Sequence, residues 1–342
     1  MSVSQVALAR RDTIVSRKIV SAEKLHPKFN DPEADIVLSS KEGILFRIHS
    51  IVLKSASGFF QSVISDINRG KRGMAQSTNE DSTSGNSCNE SSSMVITLPF
   101  PNPPITRVLL MITAQVIPPW SSIAELEAAV EVMEYLETHG PLSIVRVSCL
   151  TSVCLSDPLR LYGLSSRLGW EDIMQHTAAF TLHLNLFPFT SSQMTSDECE
   201  ASSKATSRSK PPDKDIERQL FRIPGPSLYR LLRLHRRRRD EFRAYILSPE
   251  NFVGGTSALY ECACRRSNDN GPWRILASRL FWEMDQDPSG STILSPEMET
   301  WEESIRCWNS FCQGSSCRKA NWNRVETLKK LRQCIEQLPK DL

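Results

Sequence analysis

No stretch of this sequence stays apolar long enough to cross a bilayer. The longest such run, residues 105–117, is broken by Thr106, Arg107, Thr113 and Gln115, and a spanning helix needs about 20 apolar residues. A basic segment leading into an apolar one, the mark of a secretory signal, is also missing at the N-terminus. These absences predict no membrane span and an intracellular location, cytoplasmic or nuclear. Neither sign of charge is much in excess: 41 Lys and Arg against 39 Asp and Glu give a net charge of +2. A general attraction to polyanions is thereby excluded, so nucleic acid is not an expected partner unless a local patch supplies the charge. The chain has no Gly-rich phosphate loop, no His-Glu-x-x-His and no Gly-x-Ser-x-Gly. Its six histidines lie apart, at His26, His49, His139, His176, His183 and His235. No nucleophile, base and orienting group converge, and the expectation is a protein that is not an enzyme.

What is present suits about two domains, since 342 residues exceed the usual size of one. Residues 66–93 and 188–215 are rich in Ser with Asn, Gly, Lys or Pro and carry too little apolar surface to order themselves. They read as a disordered insertion and a disordered linker. The chain then divides into a lead-in (1–24), a first domain with a helical extension (25–187) and a helical, Cys- and Trp-rich region (216–342). Within the first domain, residues 34–39 and 44–48 read as a hairpin across a turn ending at Gly43. Residues 50–64 place Val52, Ala56, Phe59, Phe60 and Val63 at helical spacing. A third strand resumes at residues 94–98, and helical patterns run from Pro103-Pro104 to Leu186. Residues 122–139 form one of these helices, with Gly140-Pro141 as its stop. The fold class expected is α/β: a short sheet capped by helices, followed by a mostly helical region.

The runs Ala34-Asp35-Ile36-Val37-Leu38, Phe46-Arg47-Ile48-His49-Ser50-Ile51-Val52-Leu53 and Ser57-Gly58-Phe59-Phe60 resemble the opening of a BTB/POZ domain. Residues 140–146 and 157–163, with the run Arg236-Arg237-Arg238-Arg239-Asp240, look like the branch expanded in mushroom-forming fungi. The resemblance implies an interaction module that self-associates or recruits another protein as scaffold or adapter, with Asp35, His49, Phe59 and Phe60 as its interaction motif. It places Asp35 near a dimer interface, where Ser50 stands in the position of the usual basic partner. A carboxylate buried there alone would disfavour the symmetric dimer; the other reading is that Asp35 caps a turn. Members that serve as cullin-type ubiquitin ligase substrate adapters carry a hydrophobic-x-Glu element after the third strand. Residues 98–104 contain no acidic residue, so that alternative loses its specific support.

Five of the seven tryptophans follow residue 270, close to Cys262, Cys264, Cys307, Cys312 and Cys317. Cys262-Ala263-Cys264 and the pair Cys312 and Cys317 can serve as two half-sites for a structural zinc ion, because thiolates bind zinc tetrahedrally. Two features oppose this: Cys262 and Cys264 are closer than the usual Cys-x2-Cys, and no histidine is near. The competing reading is reduced thiols buried among tryptophans. Cys307 reads as a helical core residue. Ser248-Pro249-Glu250 and Ser295-Pro296-Glu297 read as helix starts, and Leu328, Leu331, Ile335 and Leu338 as a core stripe. Seven arginines lie between residues 230 and 243, which opens the alternative of a transcription- or chromatin-associated regulator. Asp240 and Glu241 sit one turn from several of them, so the run reads first as a solvated helix face.

Overall fold

The computed structural model describes residues 14–18, 24–75, 93–186, 214–252, 255–314 and 316–342. The chain divides into two compact units, Met1–Ser156 and Asp157–Leu342, and the fold is mixed α/β, with small sheets and mostly helices.

In the first unit, β1 (Ile14–Lys18), β2 (Leu25–Asn30), β3 (Ile36–Ser39) and β4 (Leu45–Ile48) lead into α1 (Ser50–Ala56) and α2 (Gly58–Ala75). Then come β5 (Ser93–Thr97), α3 (Asn102–Ile112), α4 (Ile123–Tyr135), α5 (His139–Ser148) and α6 (Ser152–Leu155). The strands form one sheet in the order β1-β5-β3-β4-β2. The expected hairpin is present as β3 and β4, with Ile36 opposite Ile48 and Ser39 opposite Leu45. Gly43 takes the left-handed turn conformation that glycine adopts without steric cost (φ 83°). All four β3 residues are buried, because β3 is the central strand, flanked by β4 and by β5, which runs parallel to it.

Several boundaries differ from expectation. β1 falls inside the segment expected as a lead-in and pairs antiparallel with β5; its partner is some eighty residues away, so nothing local announces it. The single helix expected over residues 50–64 is broken at Ser57, whose backbone is extended (φ −141°, ψ 122°). Ser57 Oγ donates to the carbonyl of Leu136 and accepts from the Phe60 N–H (3.2 Å), so it caps α2 while tying it to the end of α4. Residues 66–75, expected to be disordered, continue α2, and residues 76–92 lie outside the described residues. Gly140-Pro141 does not stop a helix but sits in the first turn of α5, where proline's missing N–H costs nothing. The preceding helix ends earlier, at Tyr135, and Glu137 just beyond it turns left-handed (φ 55°).

The second unit starts before the expected linker. It comprises α7 (Pro158–Leu168), α8 (Glu171–Thr181), α9 (Lys214–Leu220), α10 (Gly225–Leu247), β6 (Leu259–Glu261), β7 (Ser267–Asp269), α11 (Gly271–Gln286), α12 (Ser291–Leu294), a 3-10 turn at Pro296–Thr300, α13 (Glu302–Trp308) and α14 (Arg324–Gln337). α7 is well bounded, with Asp157 accepting from the Arg160 N–H, Pro158 in the first turn and Gly169 left-handed at its end. Expected as an extension of the first domain, α7 and α8 instead bury Leu159, Tyr162, Met174 and Leu182 against Ile223, Leu231 and Leu234. Tyr162 seals that packing by donating to the Ser227 carbonyl (2.8 Å). The compact boundary therefore falls at residue 156. Of the segment expected as linker, residues 188–213 lie outside the described residues, and Lys214 already opens α9. Ser248-Pro249-Glu250 ends α10 rather than starting a helix.

Arginines dictate much of α10. Arg238 is buried, and its guanidinium donates to the carbonyls of Pro288 (2.8 Å), Leu338 (3.0 Å) and Pro339 (2.8 Å). These three acceptors belong to loop or helix-end backbone, so one side chain satisfies three separate groups that no helix or sheet ladder serves. Replacing Arg238 by Ala leaves them unpaired in the interior and is expected to destabilise the second unit by about 3 kcal/mol or more. Urea denaturation will show this as a lower midpoint with an unchanged slope.

His235, on the same helix, is buried with its Nε2 3.1 Å from Thr181 Oγ1. Burial, helped by the charge of Arg238, pulls its pKa down to about 4. The unfolded chain takes up a proton below about pH 6.5, the folded one only near pH 4. This part of the stability is therefore complete above pH 6.5 and is lost as pH falls toward 4, by about 3 kcal/mol in total. Stability curves of the wild-type chain and His235→Gln, measured from pH 7 to pH 4, are expected to converge as the pH drops.

Candidate metal centre

Two tight loops of the second unit present four cysteines to one point. In the first, β6 and β7 pair antiparallel with Leu259 opposite Asp269, Tyr260 opposite Asn268 and Glu261 opposite Ser267. Strand alternation buries Tyr260 and Asn268 on one face and exposes their neighbours. The turn between them, residues 262–266, closes through Arg265 N–H to the Cys262 carbonyl (2.7 Å) and Cys262 N–H to the Arg266 carbonyl (2.9 Å). The second loop is pinned by a bridge between Phe311 and Ala320. Within it, Cys312 N–H donates to the Lys319 carbonyl (2.9 Å) and Cys317 N–H to the Gly314 carbonyl (3.0 Å).

The four sulfurs of Cys262, Cys264, Cys312 and Cys317 lie within 4.8 Å of one another. Cys262 Sγ is 3.8 Å from Cys317 Sγ, and Cys264 Sγ is 3.6 Å from Cys312 Sγ. A disulfide would need about 2.05 Å, and all four thiols are free. A tetrahedron of sulfurs at about 2.3 Å from a central ion has edges of about 3.8 Å, so the cluster has the dimensions of a four-thiolate metal site. The close approaches cross from one loop to the other. Each loop contributes one sulfur to each close pair, which relieves the tight Cys262/Cys264 spacing of any need to chelate unaided.

Donors surround the sulfurs. The Gly314 N–H pulls the Cys312 thiol down to about 7, against partial desolvation and with help from Asn268. For Cys264 the Arg266 N–H also favours the thiolate, but the hydrogen-bonded sulfur of Cys312 and partial desolvation outweigh it and push the thiol up to about 11. Four sulfurs this close cannot all ionise unless a cation sits among them. Asn268 is buried; its Nδ2 lies 3.5 Å from Cys312 Sγ while its Oδ1 accepts from the Gln313 N–H (3.3 Å). It therefore links the first loop to the second. Gly314 sits where a Cβ would come 3.5 Å from Cys312 Sγ and 3.3 Å from Cys317 Cβ, so a larger residue would crowd the cluster.

Behind the loops stands a stack of aromatic rings. Phe252 lies on Trp273 (centroids 4.5 Å apart), Trp273 on Trp322 (4.9 Å), and Trp322 meets Tyr260 (5.9 Å). Tyr260 thus connects the sulfur cluster to the core of α10, α11 and α14. Cys307 lies in that core, fully buried, with burial raising its thiol to about 12, and it takes no part in the cluster. Leu331, Ile335 and Leu338 are buried in the same core, with Leu328 packed against it.

The remaining sequence-derived site residues fall elsewhere. Asp35 is exposed, not buried, and its Oδ1 accepts from the Ser50 N–H (2.7 Å), capping α1. Although partial burial opposes it, the hydrogen bonds from Ser50 hold the carboxyl below the usual range. His49 Nε2 pairs with Asp31 (3.0 Å), both about half exposed. Phe59 and Phe60 are buried core, edge to face with centroids 5.2 Å apart, so neither is free to meet a partner. In the arginine run, Arg236 pairs with Asp240, Arg237 with Glu241, Arg239 with Asp240 and Asp285, and Arg230 with Glu171.

Asn268 is the site residue that sequence reasoning missed, since nothing local to it marks a contact with Cys312. Gly314 is legible from its knuckle-like place between Cys312 and Cys317. No protein-family model matches the chain, and no curated protein matches it. Asn268→Asp keeps the acceptor for Gln313 but sets a carboxylate against the sulfur of Cys312. It is expected to weaken metal binding by about 10- to 100-fold, which competition with a chromophoric chelator will measure.

Proposed function

We propose that this chain is a non-enzymatic protein-interaction module of the BTB/POZ type, and that its second unit is locked by one structural zinc ion on Cys262, Cys264, Cys312 and Cys317. The observation that carries this reading is the closed ligand set. Four protein sulfurs fill a tetrahedron and leave no position for water or substrate, as in structural rather than catalytic zinc sites. Four soft thiolates favour zinc over the hard cations Mg²⁺ and Ca²⁺, which seek oxygen. Neither loop buries much apolar surface of its own, so metal binding supplies the free energy that keeps them in register.

The interaction reading is supported by the first unit. There, the residues that resemble the BTB/POZ opening form a hairpin and the helix after it, joined by the Asp35 cap and the His49–Asp31 pair. Ile51, on α1 beside those groups, is 74% exposed and offers apolar surface to a second copy or another protein. The chromatin-regulator alternative is weakened because its arginine run is engaged with carboxylates and backbone carbonyls of the same unit.

Native mass spectrometry of the full chain, with and without a strong chelator, tests both parts. One zinc per chain is expected, lost together with thermal stability on chelation and absent from Cys312→Ser. A chain that purifies metal-free under reducing conditions contradicts the zinc centre. A dimer supports self-association, whereas a monomer removes it and leaves recruitment of a different protein.

A further inference from the structure

We propose that the loop tips around the four cysteines form a docking surface for single-stranded nucleic acid. The proposal rests on the metal-centre reading, because the metal is what holds the two loops side by side.

Residues 262–266 and 311–320 contain four basic residues and no acidic one; Glu261 is the nearest carboxylate in sequence. Arg265, Arg266, Arg318 and Lys319 are all exposed. Phe311 is 54% exposed although it stands next to a metal-binding cysteine. With Cys312, Gln313, Gly314 and Arg318 it lines an open groove. The contrast with α10 is informative. There Arg236, Arg237 and Arg239 pair with carboxylates, whereas Arg266 donates to the Gln313 carbonyl (3.2 Å) and Arg265, Arg318 and Lys319 are exposed on the loops.

Backbone conformation gives the second, independent argument. Arg265 (φ 64°) and Arg318 (φ 40°) each follow a cysteine directly and each adopt the left-handed conformation. Glycine would occupy both positions without the steric cost that a Cβ meets there. Arginine kept at a strained position points to a use for its side chain. An aromatic face beside several guanidinium groups fits a strand whose bases are free to stack and whose phosphates are within reach. A duplex hides its base faces, and an acidic peptide has no planar base to lie on Phe311.

The test uses the full, zinc-loaded chain and a fluorescently labelled single-stranded oligonucleotide of mixed sequence, followed by anisotropy across a salt series. Zinc content and melting temperature are measured on the same samples. The unsubstituted chain is expected to bind with affinity that falls as salt rises. The double variant Arg265→Gly, Arg318→Gly should bind about tenfold more weakly or worse, with the salt slope reduced by about 0.7 for each phosphate no longer neutralised. Its zinc content should be unchanged and its melting temperature equal or higher, since glycine relieves the backbone. Phe311→Ala should weaken binding about tenfold without changing the slope. The proposal is overturned if the zinc-loaded chain does not bind at low salt. It is equally overturned if both variants bind like the parent, or if a poly-glutamate peptide of the same length competes as well as the oligonucleotide. Loss of zinc from the double variant also overturns it, because the arginines then serve to balance the thiolate charge. A chain that purifies without zinc but binds through Arg265, Arg318 and Phe311 would sink the metal reading and leave the surface standing.

Discussion

Four sulfur atoms drawn from two loops some fifty residues apart lie within 4.8 Å of one another, around a gap of about the size of one metal ion, and the C-terminal unit is arranged to permit it. Thiols at 3.6 and 3.8 Å gain little from one another as neutral groups and repel as anions. A dication among them would convert that repulsion into binding free energy that is also folding free energy. The β6–β7 hairpin is too short to be stable alone. It is held at one end by the sulfurs and at the other by Tyr260, the outermost ring of the Phe252–Trp273–Trp322 stack. Asn268 bridges the two supports, facing Cys312 with its amide nitrogen and Gln313 with its oxygen. The tryptophan density of this region thus belongs to the same device as its cysteine density.

Charge is handled by placement rather than by amount. The arginine run on α10 is largely an internal fastening: Arg238 reaches three backbone carbonyls, and Arg239 bridges to Asp285 across the helix pair. Arg243 lies over the ring of Phe281 (4.8 Å), a further use of a guanidinium as packing material. The basic residues of the two cysteine loops are fewer, and Arg265, Arg318 and Lys319 are exposed beside Phe311.

The sequence made legible what depended on neighbours in the chain. The β3–β4 hairpin followed from two short apolar runs and a glycine turn, and the α14 core stripe from its spacing. Features made by distant partners were not legible. β1 needs β5 to exist, and the break at Ser57 depends on a carbonyl at Leu136. The placement of α7 and α8 depends on Ile223, Leu231 and Leu234, beyond the segment expected as a linker. Cys262 and Cys264 looked too close to chelate well, because spacing alone cannot show that each pairs with a sulfur of the other loop. The apolar spacing of Phe59 and Phe60 was legible, and both are buried; the same residues read as an interaction motif only through the family resemblance.

The most direct test of the central claim, a zinc ion held by four cysteine sulfurs, is X-ray absorption at the zinc edge on the chain as purified under reducing conditions. A first shell of four sulfurs at about 2.3 Å, with no nitrogen or oxygen scatterer, is the result this structure predicts. A first shell containing nitrogen or oxygen, or fewer than four sulfurs, would contradict it.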